Sequence, residues 1–449
     1  MQKSLGWALV CGLLACPTAW AWYPYSEKYE KWQKDRPMMF AGLHNSVPKD
    51  KLEQRIARFK AGGLNTFLWA KPHHAMEYFR AAHDAGLSWA CWHRGGKSAV
   101  MEAMKIPGAA FIQTGDEPGT GDDEIDHIAQ FAKWARQTYP DLPQFVNLSI
   151  VKADHDVVIR RCKPDVFSFD HYPLNRNGKF VEDYLYTVKW GRQTSQRHRL
   201  PFWMYLQSYG RVEDKPSYAY RIPDEADIRY QLFTLLAHGG TGVMWFIYYG
   251  MNESMVMQPG IYMPVEPGRY EDNIQTRAWY AVRDVAPEGQ QLARALLNLR
   301  SKDPVAYAGD GRFWDIPPSE YGAYNPVEPI RNTKFEGFGA LKALAVTEGE
   351  DMGLLVGFFD DEMGEEYFMV VNLAHGLNMS KSDGMRTVRL TFANPIETIE
   401  RLNRLTGLVE PLRTTVKGDT RVLDIFLPGG TGDLFKWSNG KSWALRKAN

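Results

Sequence analysis

Met38-Met39-Phe40-Ala41-Gly42-Leu43-His44 reads as a short buried strand, and Lys51-Leu52-Glu53-Gln54-Arg55-Ile56-Ala57-Arg58-Phe59 as the helix that follows it. Leu52, Ile56 and Phe59 fall on one helical face, and Gly62-Gly63 ends the run. The same unit then recurs along the chain. Strand-like runs lie at 65–70, 87–93, 110–115, 144–150, 166–170, 202–207 and 242–248. Amphipathic stretches follow to Ala85, weakly at 98–105, and at about 123–138, 181–198, 224–238 and 273–298. Eight strand-then-helix units over 38–300 match the roughly 250 residues of a (β/α)8 TIM barrel. An open doubly wound sheet is the competing architecture, but no Gly-rich phosphate loop follows the first strand.

Beyond about 330 the rhythm changes. Leu354–Phe359, Tyr367–Leu373, Val388–Phe392 and Val422–Leu427 read as strands separated by turn residues such as Asp360-Asp361, Asn394-Pro395 and Gly429-Gly430, with no long helix between them. The expected division is therefore a barrel over 22–300, a linker region over 301–335 and a C-terminal antiparallel β-sandwich over 336–449. The first 21 residues read as a secretory signal peptide: Lys3, an apolar run from Leu5 to Ala15, then Ala19-Trp20-Ala21. Cleavage there would leave Trp22 first and the protein secreted or periplasmic. Leu13-Leu14-Ala15-Cys16 gives a rival reading, a lipid anchor on Cys16. No other segment is apolar enough for a membrane span.

The 53 Lys and Arg balance 53 Asp and Glu, which argues against a nucleic-acid partner. Four Cys in 449 residues are too few for a disulfide framework. Cys91 and Cys162, which remain after cleavage, read as buried thiols. The 15 Trp and 22 Tyr suit a sugar-binding cleft and a large core equally.

In such a barrel chemistry sits where the strands end. Those ends carry His44 and Asn45, Trp69, Trp92 with His93 and Arg94, Asp116 and Glu117, Asn147, Asp170 and Tyr172, Gln207 and Tyr209, then Trp245 and Tyr248. Hydrogen-bonding groups beside aromatics point to a small-molecule or glycan site on that face, a glycan here meaning an oligo- or polysaccharide. Gly115-Asp116-Glu117-Pro118 is the sharpest piece. Strand alternation puts Gln113, Gly115 and Glu117 on one face, with Gly115 leaving room for a ligand. A carboxyl in an aromatic pocket beside another carboxylate serves as a general acid. Ser168, Asp170 and Tyr172 share a face, so Asp170 points inward. His44, His73, His74, His93 and His238 form no metal spacing, and no metal or cofactor is expected. His238 reads as a helix cap.

With Asp116-Glu117-Pro118, the seventh helix Pro223-Asp224-Glu225-Ala226-Asp227-Ile228-Arg229-Tyr230 and the stretches Val370-Val371-Asn372-Leu373 and Leu427-Pro428-Gly429-Gly430-Thr431-Gly432, the chain resembles secreted bacterial glycoside hydrolases with a clan-A-like barrel and a C-terminal β-sandwich. The resemblance implies that Glu117 is the acid. It also implies a glutamate at the seventh strand end, where this sequence has Gln207, and an amide cannot form a glycosyl ester. The Asp-Glu doublet is similar to that of substrate-assisted N-acetylhexosaminidases, which implies Asp116 orienting a 2-acetamido group with Tyr209 or Tyr248 bracing it. Two alternatives stay open. One is an inverting reaction with Asp170 as base, roughly 7–10 Å from Glu117; the other is a non-catalytic carbohydrate-binding barrel.

Overall fold

The computed structural model describes residues 22–44, 51–69, 75–149, 154–174, 181–211, 220–249, 257–258, 262–266, 269–309 and 333–447. Eight parallel strands form the barrel: β1 (Met39–His44), β2 (Thr66–Trp69), β3 (Ser88–Trp92), β4 (Ala109–Asp116), β5 (Gln144–Ser149), β6 (Val166–Asp170), β7 (Phe202–Gln207) and β8 (Gly242–Tyr249). They pair in chain order, and β8 pairs back to β1 from Gly242 against Met39 to Tyr249 against His44, so the sheet closes. The TIM barrel and the sandwich behind it are as the sequence pattern predicts.

The intervening helices are α2 (Leu52–Ala61), α3 (Met76–Asp84), α4 (Gly96–Ala103), α5 (Asp122–Thr138), α6 (His155–Cys162), α7 (Val181–His198), α8 (Glu225–Ala237) and α9 (Arg277–Leu296). The sequence reading did not single out α6. It is short, and its signal is a cap: Asp154 accepts from the Val157 N–H at 3.2 Å. The first helix, α1 (Glu27–Gln33), was also not anticipated. It seals the N-terminal face of the barrel. Trp32 Nε1 donates to the Ala110 carbonyl at 2.8 Å, and its ring lies 5.7 Å from that of Trp203.

Alternation divides the strand residues between two cores. Met39, Ala41, Leu43, Leu68, Ala90, Phe145, Val166, Trp203 and Met244 fill the barrel. Phe40, Phe67, Trp89, Cys91, Phe167, Phe169, Met204 and Trp245 pack outward beneath the helices. Cys91 and Cys162 are free, buried thiols. Among the described residues no helix is long and apolar enough to cross a membrane.

The sandwich starts earlier than its sequence suggests. Arg300–Ala308, inside the stretch read as a linker, is a strand paired antiparallel with Leu354–Asp360 in a seven-stranded sheet. Its Arg, Lys and Asp residues hide the apolar pattern, yet Val305, Ala306 and Tyr307 are buried. A four-stranded sheet packs on the other side of a core that includes Val356, Phe368, Val370, Leu390 and Phe435. The opposite face of the seven-stranded sheet, with Leu355, Phe359, Met369 and Val371, joins the core under α8 and α9. At Gly357 a Cβ would lie 2.0 Å from the Ala237 carbonyl oxygen, so only glycine lets this strand reach the end of α8. Buried charges fasten the same junction. Arg229 forks onto Glu288 at 2.7 and 2.9 Å, and Arg404 joins Glu288 at 2.9 Å and also pairs with Asp433.

Candidate active site

The inward residues at the ends of β4, β5 and β6 are polar, unlike those deeper in the barrel. Ser168 Oγ donates to Asn147 Oδ1 at 3.0 Å and fixes that amide. Asn147 Nδ2 then donates to Asp170 Oδ1 at 2.9 Å and, more weakly, to Asp116 Oδ1 at 3.4 Å. One amide on β5 thus bridges carboxylates from two neighbouring strands.

Asp116 reaches this cluster through an irregularity. The register of β4 on β5 shifts between Gln113 and Gly115, which breaks the simple alternation. Gln113 and Asp116 end up together: Gln113 Nε2 donates to Asp116 Oδ1 at 3.1 Å, while the Tyr205 hydroxyl donates to Gln113 Oε1 at 2.7 Å. Gly115 turns outward, where a Cβ would sit 2.8 Å from Ile128 Cγ2 of α5. Its smallness serves helix packing, and the expected space for a ligand at Gly115 is not there. Arg94 NH2 donates to the other Asp116 oxygen at 3.2 Å and lies 4.8 Å over the Trp92 ring. Three donors fix the position of the Asp116 carboxyl.

Glu117 lies at φ 41°, the left-handed region that a residue with a side chain enters at a cost of about 1–2 kcal/mol. Its N–H still donates to the Asn147 carbonyl at 2.8 Å, extending the ladder by one residue while the side chain is re-aimed. The result is a hydrogen bond between the Glu117 and Asp170 carboxyls. Burial, then the Glu117 carboxyl, with Asp116 behind it, push Asp170 well above the usual carboxylate range; the Asn147 bond opposes this. Asp170 is only 8% exposed, and Glu117 is the half-buried, more accessible member. Like charges that close resist ionising together, which is how the Glu117 carboxyl adds to the effect of burial on Asp170.

An aromatic wall stands beside the pair. Tyr172 stacks on Phe246 at 5.2 Å and meets Tyr209 edge-on at 5.3 Å, and Tyr220 lies 5.4 Å from Tyr209. Burial and then the Asp170 charge raise the Tyr172 hydroxyl, which stays protonated as a hydrogen-bond donor. Among the described residues no group of three His, Cys, Asp or Glu side chains is set to hold a metal ion.

No protein-family model and no curated protein sequence matches the chain. Solved structures do. The chain is similar to a β-galactosidase from the Antarctic haloarchaeon Halorubrum lacusprofundi, at 14% identity and a TM-score of 0.42 over 56% of this chain and 58% of that one. It is similar to a β-glucuronidase from Faecalibacterium prausnitzii at 12% identity and 0.42, covering 56% and 49%. A rhamnosidase from Novosphingobium sp. PP1Y aligns at 11% identity and 0.38, covering 73% and 40%. The matched parts amount to about half the length of those proteins. At such identities the overlap says nothing of substrate or catalytic residues in this chain.

Of the residues singled out from sequence, Asp116, Glu117, Asp170, Asn147, Arg94, Trp92, Tyr172 and Tyr209 gather at the mouth. Several others do not. His44, Trp69, Trp245 and Tyr248 lie in the outer core between strands and helices: the first three fall on the outward phase of their strands, while Tyr248 is turned out by an irregularity that leaves both Phe246 and Ile247 on the inner side. His44 stacks on Phe67 at 4.0 Å, and burial lowers its imidazole to about 3. Tyr248 is thus turned away from the Glu117–Asp170 pair. His93 also turns outward, edge-on to Phe131 of α5 at 5.9 Å. Asn45, with His73 and His74, lies outside the described residues.

Gln207 is fully buried and spent on backbone. Its Oε1 accepts from the Leu174 N–H at 2.8 Å, and its Nε2 donates to the Tyr209 and Arg221 carbonyls at 3.0 and 3.1 Å. It clamps the loops after β6 and β7. The separation expected between Glu117 and Asp170 is also overturned. A carboxyl whose hold on its proton is raised by burial and by Glu117 is ionised less readily than the base of an inverting reaction needs to be. His238 caps α8 as read, its Nδ1 2.7 Å from the Thr234 carbonyl oxygen. Gln113, Ser168, Tyr205, Tyr220 and Phe246 were missed as site residues. For Ser168 and Tyr205 the inward phase of β6 and β7 was a usable signal; for Gln113 the register shift concealed it.

Proposed function

We propose that this protein is a glycoside hydrolase that works on a glycan outside the cytoplasm, with Glu117 delivering the proton. The observation that carries the reading is the hydrogen-bonded Glu117–Asp170 pair at the barrel mouth, beside a wall of tyrosines. The buried member stores the proton. The accessible member passes it to the departing glycosidic oxygen as the C1–O bond breaks, and recovers one from the water that completes hydrolysis. Export is supported by the leader-like first 21 residues.

The nucleophile is the finer part of the proposal. Retaining glycosidases set their carboxyls about 5–5.5 Å apart and inverting ones about 6.5–9.5 Å. The touching pair fits neither, and Gln207 is an immobilised amide. A substrate 2-acetamido group supplies the missing atom: its carbonyl oxygen attacks C1, and Asp116, anchored by its three donors, accepts its N–H and steadies the positive charge that develops.

Native protein and Glu117→Gln, assayed on a panel of glycans, test the first part. The expected result is a loss of about 10²–10⁴-fold in turnover with glycan binding retained. Undiminished turnover removes Glu117 from the acid's role, and a native protein that binds glycans without cleaving any is a binding barrel. A thiazoline mimic of the cyclised acetamido group tests the second: strong competitive inhibition is expected, and indifference refutes substrate assistance.

A further inference from the structure

Behind Arg94, on the outer side of the barrel wall, residues 93–97 face His127, Gln130 and Phe131 of α5 across a hollow of about 440 Å³. That volume lies within the roughly 300–1,000 Å³ of small-ligand pockets. Among the described residues that line it, none is acidic: Arg94 and Lys97 bring two positive charges, and His93 and His127 bring two imidazoles. These groups crowd one another. After burial, Arg94 and His127 are what depress the His93 imidazole, to about 4. His93 Nδ1 is buried with no hydrogen-bond partner among the described residues.

Two features add to the positive field. Gly95 and Gly96, at φ 103° and 76°, turn the chain into α4, whose first turn no side chain caps. Its leading N–H groups therefore present partial positive charge on the same loop. Arg94 belongs to both places, since the guanidinium that lines the hollow also bonds Asp116. Whatever occupies the hollow is thus within one side chain of the carboxyl cluster.

We propose that this hollow is a subsite for an anionic substituent of the glycan, a carboxylate or sulfate on a sugar adjoining the scissile bond. The assignment of a scissile bond rests on the hydrolase reading above; the binding of the anion does not. Arg94 then has two tasks, orienting Asp116 and reporting an acidic neighbour, while Lys97 and His127 select for charge alone.

Titration of the full-length protein with oligomers of uronic acids, with their carboxyl-methyl esters, and with sulfated and unsulfated hexosamine oligomers tests this. Acidic oligomers are expected to bind at least 10-fold more tightly than their neutral partners. Lys97→Ala and His127→Ala, both away from the carboxyl pair, are expected to remove most of that preference and leave neutral oligomers unaffected. The uronate and sulfate arms distinguish the two sources of charge. Equal affinity for charged and neutral partners overturns the subsite, as does a preference that survives both substitutions. Binding of inorganic sulfate without oligomer discrimination overturns it too, as an adventitious ion only. A Lys97-dependent preference without cleavage of any oligomer upholds the subsite and sinks the hydrolase reading; equal cleavage of acid and ester does the reverse.

Discussion

Asp170→Asn separates the stored proton from the shape of the site. The new amide keeps an oxygen for Asn147 Nδ2, now 2.9 Å from Asp170 Oδ1, and offers an N–H toward Glu117. It has no proton to lose. In the native protein Asp170 binds its proton more tightly when folded than when unfolded, because burial and then Glu117 raise it. From the unfolded value of about 3.9 up to the raised folded one, the folded state therefore holds the extra proton. Stability must fall as pH rises through that window, by up to about 1.4 kcal/mol per pH unit for the pair. The substituted protein lacks this slope. As pH rises through that window its margin over the native protein should widen, by no more than about 1.4 kcal/mol per pH unit, or some 3–5 °C in Tm at about 2–4 °C per kcal/mol. Calorimetry of both proteins across that range, with hydrolysis measured in parallel, gives the answer. Parallel stability curves would refute the stored proton, and with it the reason for Glu117 to act as the acid.

Further outcomes follow from the same coordinates. Glu117→Gly relieves the left-handed backbone and removes a charge beside Asp170, so it should raise Tm, by about 1–2 kcal/mol of stability, while abolishing turnover. A lower Tm would mean that the φ of 41° is not strained. Gln207→Leu strands the Leu174 N–H and two carbonyls and should cost about 3 kcal/mol or more in a denaturant titration. Gln207→Glu faces those carbonyls with a second acceptor, so it should also destabilise, and it should not create a retaining enzyme. Arg229→Met removes one partner of the buried charges joining α8, α9 and the sandwich. A loss of about 3–5 kcal/mol is expected, with the remaining Glu288–Arg404 pair placing it toward the lower end.

The periodicity of the chain carried the architecture. Apolar runs such as Phe202–Gln207 and helical faces such as Leu52, Ile56 and Phe59 depend on near neighbours, so their pattern is written locally. The doublet Asp116-Glu117 was legible as chemistry for the same reason: residue type and strand-end position are both sequence properties. Which side of the sheet a residue faces was legible only where alternation held. Ser168 and Asp170 obey it; Trp245 was assigned by type and not by phase, and Tyr248 is turned out by a break in alternation after Phe246 that its sequence does not show.

What no stretch of sequence contains is the distance between strands. The shift on β4 that swings Asp116 onto Gln113, the left-handed turn that lays Glu117 against Asp170, and the backbone groups that immobilise Gln207 each depend in part on segments distant in the chain, Asn147 for Asp116, Asp170 for Glu117 and Leu174 for Gln207. Side-chain type set the available chemistry, and closure of the barrel decided which groups would touch. Proton sharing and charge repulsion change steeply over an ångström or two, so that contact is what separates a carboxyl that stores a proton from one that merely carries a charge.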